Sequence, residues 1–131
     1  MPVTLSVDHV RKTATATAIG PIAIGDVREH LDAERIRGGL PYREFIDATR
    51  ATAVLSVSDA QAIVETLRRL GRKGALGPTA VLVSNDVTYG MLRMIETLVG
   101  DVAAVRPFRE RAEAEKWLAT APIRGDETHD A

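Results

Sequence analysis

The side chains of this chain best suited to proton transfer or metal ligation near neutral pH are three histidines, His9, His30 and His129. A serine nucleophile would need one of them within hydrogen-bond reach, on a turn that presents the hydroxyl. The chain has no Gly-x-Ser-x-Gly elbow. None of the histidines falls at the C-terminal end of an expected strand, where an open α/β sheet builds its site. Spacing does not favour a metal either. There is no His-x-x-x-His pair and no evident carboxylate cluster, and His30, close to Glu29 and Asp32, reads as a surface residue of a solvated helix. Cysteine is absent, which removes thiolate zinc sites, iron–sulfur clusters, disulfides and cysteine nucleophiles. The expectation is a protein that is not an enzyme and has no catalytic residue, metal or cofactor.

Other residues could bind or be modified. Gly71 to Gly77 is glycine-rich and adjoins Arg68 and Arg69. A phosphate loop follows a strand and opens a helix, whereas this loop ends a helix and precedes a strand, so it reads as a helix C-cap with basic residues suited to the macrodipole. Asp47, at a strand end, could imitate a response-regulator phosphoacceptor, but the accompanying acidic pair and lysine are missing. Ser56 and Ser58 precede the second helix, where an added phosphate would sit against the positive helix end. Ser58 has a structural alternative, because Ser58 with Gln61 fits a capping box. Further along, Tyr89, Gly90 and Arg93 share a helix face, with Asp86 at its start. Arg93 is placed to stack on Tyr89 or to pair with Asp86 or Glu96. Gly90 costs ~1 kcal/mol against Ala in a helix, which fits either a solvated face with a tolerated glycine or close approach of a ligand, strand or second subunit. A ligand pocket would be bounded by Asp47, Arg50, Tyr89 and Arg93.

The elements that must position these residues follow from periodicity. Residues 3–7 alternate apolar and polar, and 10–19 interleave Thr13, Thr15 and Thr17 with Ala14, Ala16 and Ala18, so a β-hairpin opens the chain and Gly20-Pro21 stops it. Ile24, Val27 and Leu31 give residues 23–36 one apolar helix face. A short strand over 43–48 ends at Asp47, and Thr49 to Ser58 reads as loop, with Val54 and Leu55 turned inward. Ala60, Ile63, Val64, Leu67 and Leu70 mark the second helix, and Gly71 to Pro78 its exit loop. Residues 79–84 form a strand buried on both faces, feeding a helix from Asp86 to Val99 with Val87, Met91, Met94, Ile95 and Leu98 inward. A last strand covers 102–106 and a last helix 112–121, which turns Ala114, Trp117, Leu118 and Ala121 inward.

This β-β-α-β-α-β-α-β-α order implies a mixed, mostly parallel sheet in one α/β domain over 1–121, with a frayed tail over 122–131. The composition, 45% hydrophobic and 27% charged with net charge −1, suits one globular core. It offers no basic field for nucleic acid, and aromatics at 4% offer no stacking platform. No run approaches the ~18–20 apolar residues of a membrane span, so no stable membrane insertion is expected. Met1 to Asp8 lacks the basic start of a signal peptide, so a cytoplasmic location is expected, and the Ala/Arg bias points to a bacterial source.

Asp86-Val-Thr-Tyr89-Gly90-Met-Leu-Arg93-Met94, following an apolar strand, resembles the hallmark of the SpoIIAA-like branch of the STAS superfamily (sulfate transporter and anti-sigma-factor antagonist domains). Ile19-Gly20-Pro21-Ile22 resembles that family's entry turn to helix 1, and Phe45-Ile46-Asp47 its third strand. Phe108-Arg109, Ala114 and Trp117-Leu118 resemble its C-terminal pattern, and the likeness covers about residues 3–119. The resemblance implies a five-stranded mixed sheet with about four helices, and a non-enzymatic module that works through a protein partner or self-association. In the anti-sigma antagonists a serine of an Asp-Ser-Ser-Gly motif before helix 2 is phosphorylated. This chain reads Ser56-Val57-Ser58-Asp59 there, without the glycine and with the acid after the serine. A more distant likeness to Sec14-type lipid carriers implies small-ligand or lipid binding as the alternative.

Overall fold

The computed structural model describes residues 2–123. Its elements are β1 (Val3–Asp8), β2 (Thr13–Ile22), α1 (Ile24–Ile36), β3 (Arg43–Ala53), α2 (Val57–Arg72), β4 (Thr79–Val83), α3 (Asp86–Val99), β5 (Val105–Phe108) and α4 (Arg111–Thr120). The five strands form one sheet in sequence order, with β1 antiparallel to β2 and every later pairing parallel. This is the expected mixed α/β architecture. Most of the expected tail, residues 124–131, lies outside the described residues.

Strand alternation sorts the helices onto two sides. Ile46, Ala48, Val81, Val83 and Val105 face α1, α2 and α3, whose Leu31, Ile63, Leu67, Ile95 and Val99 make the adjoining core. Phe45, Ala80, Leu82 and Phe108 face the other way, onto Ala114, Trp117 and Leu118 of α4. Two glycines let this packing close. A Cβ at position 71 would lie 2.5 Å from the Val102 carbonyl oxygen, and one at position 77 would strike the Tyr42 carbonyl oxygen. The basic loop is a helix end, with Lys73 as C-cap and Gly74 beyond it at φ +69°.

Several boundaries differ from the periodicity reading. β2 does not stop at Gly20-Pro21. Its pairing with β1 ends at Ala18, so Pro21 sits where β2 has become an edge on that side and needs no N–H there. β3 continues through residues 49–53, of which Arg50, Ala51, Thr52 and Ala53 pair with Ile19, Gly20, Pro21 and Ile22 after a register shift. The buried residue of that extension is Ala51, following the buried Ala48, and both are too small to register as a hydrophobic run. Leu55 packs inward as expected, but Val54 is exposed. The cap of α2 is Ser56, not Ser58: Ser56 Oγ accepts from Asp59 N–H, and Asp59 Oδ2 accepts from Ser56 N–H, each at 3.0 Å. α2 runs through Gly71 to Arg72, so the exit loop is shorter than expected.

The face of α3 also differs. Its buried residues are Thr88, Ile95 and Val99, with Met91 and Leu92 packed against the core. Val87, Met94 and Leu98, expected inside, are 66%, 42% and 49% exposed. Thr88 takes the inward place at the start of the helix because its hydroxyl accepts from Ala53 N–H at the end of β3.

Candidate functional site

The most chemically distinctive group in the fold is buried between α1 and β3. His30 and Glu34 are one turn apart on α1, and Glu44 is the second residue of β3. His30 Nε2 lies 2.9 Å from Glu34 Oε1 and 2.8 Å from Glu44 Oε2. The three side chains are only 9%, 4% and 5% exposed. His30 is therefore not the solvated surface residue that its neighbours Glu29 and Asp32 suggested, and a carboxylate cluster does exist. The i, i+4 spacing of His30 and Glu34 is visible in the sequence. Glu44 joins them only through the fold, ten residues later and beyond the Gly38-Gly39 turn.

Burial by itself would strip the proton from His30, but hydrogen bonds and charge from Glu34 and Glu44 outweigh it and push its pKa up to about 10. Burial pushes Glu34 up to about 7; His30 opposes the shift, and the nearby Glu44 adds to it. The cluster thus holds an imidazolium between carboxyl groups at neutral pH. Among the described residues no buried side-chain polar atom lacks a hydrogen-bond partner.

The cluster borders two spaces. An interior cavity of about 190 Å³ runs between the sheet and its three-helix face, walled by residues such as Ile46, Leu67, Val81, Leu92 and Ile95, with His30, Glu34 and Glu44 in its lining. A groove of about 300 Å³ lies between β1 and α1, lined by Thr4, Leu5, Asp26, Glu29, Ala33 and Arg37. Val3 and His30 line both.

The residues singled out in the sequence occupy other places. Asp47 is on the α4 side of the sheet, where its Oδ1 accepts from the hydroxyl and N–H of Thr49 at 2.7 and 3.0 Å and its Oδ2 meets Arg111 at 3.0 Å. Those Thr49 hydrogen bonds, with lesser help from Arg111 and Arg50, hold its carboxyl below the usual range. Arg50 itself is exposed. Tyr89 packs against the opposite side, with Ala48 and Val83. The structure therefore does not bring Asp47, Arg50, Tyr89 and Arg93 round one pocket, and none of the four lines the interior cavity.

The partner of Tyr89 is Arg109, not Arg93. The Arg109 guanidinium lies 4.3 Å from the Tyr89 ring centroid and 2.8 Å from Asp86 Oδ1, tying the start of α3 to the end of β5. Arg93 instead pairs with Glu96 at 3.5 Å. A Cβ at Gly90 would meet nothing within 4 Å among the described residues, so the close approach that would demand a glycine there is not made by them. Ser56 and Ser58 are both exposed at the start of α2, and Ser58 makes no side-chain hydrogen bond among the described residues.

No family model and no curated protein matches the chain. Solved structures do. One is an uncharacterised DUF3478-family protein with a SpoIIAA-like fold from Shewanella loihica PV-4, 15% identical over 88% of this chain and 93% of that one, with a TM-score of 0.59. Another is the anti-sigma factor antagonist SpoIIAA in its unphosphorylated form, 11% identical over 92% of this chain and 99% of that one, with a TM-score of 0.55. At these identities the likeness is one of fold, and the strand order, the antiparallel opening pair and the four helices agree with it: the chain has the SpoIIAA-like fold.

Proposed function

We propose that this chain is a non-enzymatic regulatory module of the bacterial cytoplasm that acts by binding another protein through the outer face of α3, beside the start of α2. The observation that carries this reading is the exposed apolar stripe Val87–Met94–Leu98. At 3.6 residues per turn these three positions lie on one side of the helix and span about 16 Å. Val57, 75% exposed in the first turn of α2, adds a further apolar side chain next to Ser56 and Ser58. Exposed apolar side chains aligned along one helix side, in contrast to ones scattered singly, are what an interaction site presents. The SpoIIAA comparison supports the class of occupant, because an anti-sigma factor antagonist is by name a protein that acts on a protein.

The test is a binding comparison between the wild-type chain and Val87→Glu/Met94→Glu. The reading expects a partner captured by the wild type and lost with the variant, with the amides of residues 86–99 protected from hydrogen exchange in the complex. A partner retained by the variant, or no partner at all together with a monomeric mass in solution, would refute it. If the only partner is a second copy, the occupant assigned here is wrong.

The interior cavity favours a second reading, a small-ligand module of the same fold. Its volume suits a compact apolar molecule, since an apolar cavity of about 150 Å³ takes benzene. Native mass spectrometry of freshly purified protein would show the added mass; a clean chain mass speaks against this reading.

A further inference from the structure

We propose that His30, Glu34 and Glu44 form a binding site for a first-row divalent cation of the zinc or cobalt kind, with its open coordination position facing the interior cavity. This inference does not rest on the protein-binding reading. One imidazole nitrogen and two carboxylate oxygens are a donor set such ions accept. The three donor atoms lie within 4.8 Å of one another. Around a tetrahedral ion with bonds of ~2.0–2.2 Å, neighbouring donors sit about 3.3–3.5 Å apart. The present separations of 2.9 and 2.8 Å from Nε2 therefore need to open by only about half an ångström.

The donors are carried by rigid elements, two from successive turns of α1 and one from β3, which holds a constellation more tightly than a loop does. Charge balance agrees. The ion takes the place of the proton that His30 Nε2 shares with the two carboxylates, and that proton leaves to solvent. Two carboxylates and a neutral imidazole then cancel a divalent charge, which matters against a wall as apolar as this one. His30 lines both the cavity and the groove between β1 and α1, where Asp26 and Glu29 supply negative charge. Arg37, the cation in that groove, donates to the Leu5 carbonyl at 2.8 Å.

The experiment titrates the chelator-stripped full chain with Zn²⁺ by calorimetry and with Co²⁺ by visible absorption. The expected result is one Zn²⁺ per chain and Co²⁺ d–d bands. Glu34→Gln and Glu44→Gln, each close in shape to the original, should each weaken Zn²⁺ at least tenfold, since changing even an outer-shell partner of a ligand costs about 10–100-fold and these residues are the ligands. A His9→Gln/His129→Gln variant, which removes the other two imidazoles, should bind as the wild type does. If a glutamine variant fails to fold, the His9/His129 variant together with a Zn²⁺-induced shift of the His30 ring resonances decides the matter. No saturable binding, binding abolished in the His9/His129 variant, or glutamine variants that titrate like the wild type would each overturn the proposal.

Discussion

Replacing His30 with leucine in the metal-free protein tests the energetics of the cluster directly. The substitution removes the one cation that Glu34 and Glu44 contact at 2.9 and 2.8 Å, in a place where all three side chains are less than a tenth exposed. Breaking a buried ion pair from one side leaves uncompensated charge and costs about 3–5 kcal/mol. A domain has only about 5–15 kcal/mol of stability, so the loss is a large fraction of the whole and should lower the melting temperature by roughly 10–20 °C. The cause can be separated from simple misfit by pH. With the imidazole gone, the two glutamates escape the penalty by taking up protons, and a protonated pair can hydrogen-bond to itself. The deficit of His30→Leu against the wild type should therefore shrink as pH falls from 8 towards 5. Urea unfolding at several pH values, with chelator present, measures both quantities. A loss below about 1 kcal/mol at pH 8, the size of an ordinary substitution, would refute the argument. So would a deficit that is the same at pH 5 and pH 8, because that pattern reports lost packing and not stranded charge.

The same cluster sets the pH dependence of the wild-type chain. Glu34 is raised from 4.5 to about 7, so on alkalinisation the unfolded state loses that proton first and stability falls across that window; His30 is raised from 6.5 to about 10, so its contribution is complete below 6.5 and lost as pH rises towards 10. Urea midpoints should decline from about pH 5 upward in chelator, and a flat or rising profile would contradict the assignment. Asp47 works at the other end: its lowered pKa gives stability present above 3.8 and lost as pH falls below it. The two serines ahead of α2 should separate cleanly in the same assay. Ser56→Ala removes the cap and should cost ~1 kcal/mol, whereas Ser58→Ala, in the exposed first turn, should stay within about 0.5 kcal/mol.

How far the sequence reveals this molecule depends on whether a feature is local. The strand–helix order, the β4–α3 unit and the apolar faces of α1 and α2 follow from period and spacing, and the structure has them. The second half of β3 was hidden because its buried positions are alanines, which carry little hydrophobic signal. The cap of α2 lies two residues before the Ser58-x-x-Gln61 box, because Ser56-x-x-Asp59 offers the same geometry and becomes the cap where β3 ends. The cluster is illegible in the sequence for another reason. Its histidine sits in a run of charged residues, Arg28 to Glu34, that looks like a solvated face, and the acid that makes it a site comes from a different element. Asp86, Tyr89 and Arg93 were correctly placed on one helix, but the cation that joins Asp86 to Tyr89 is Arg109, across β5.

α3 is the element that both functional readings share. Its inner residues Met91, Leu92 and Ile95 wall the cavity, while Val87, Met94 and Leu98 point outward. Periodicity alone turns Val87, Met94 and Leu98 inward with Met91 and Ile95 and omits Leu92, because α3 has apolar residues on more than one side, and a helix of that kind has no single best core face. The sheet takes the residues that lie next to Val99 and Ile95, and the others remain exposed. A helix with two apolar sides has two occupants to gain: the core on one, a partner on the other. Filling the cavity acts on the inner side of the helix whose outer side would meet the partner. The two events are linked only to the extent that each favours the same placement of α3, and any such linkage is reciprocal, so a cavity ligand that strengthens partner binding must itself be held more tightly in the complex.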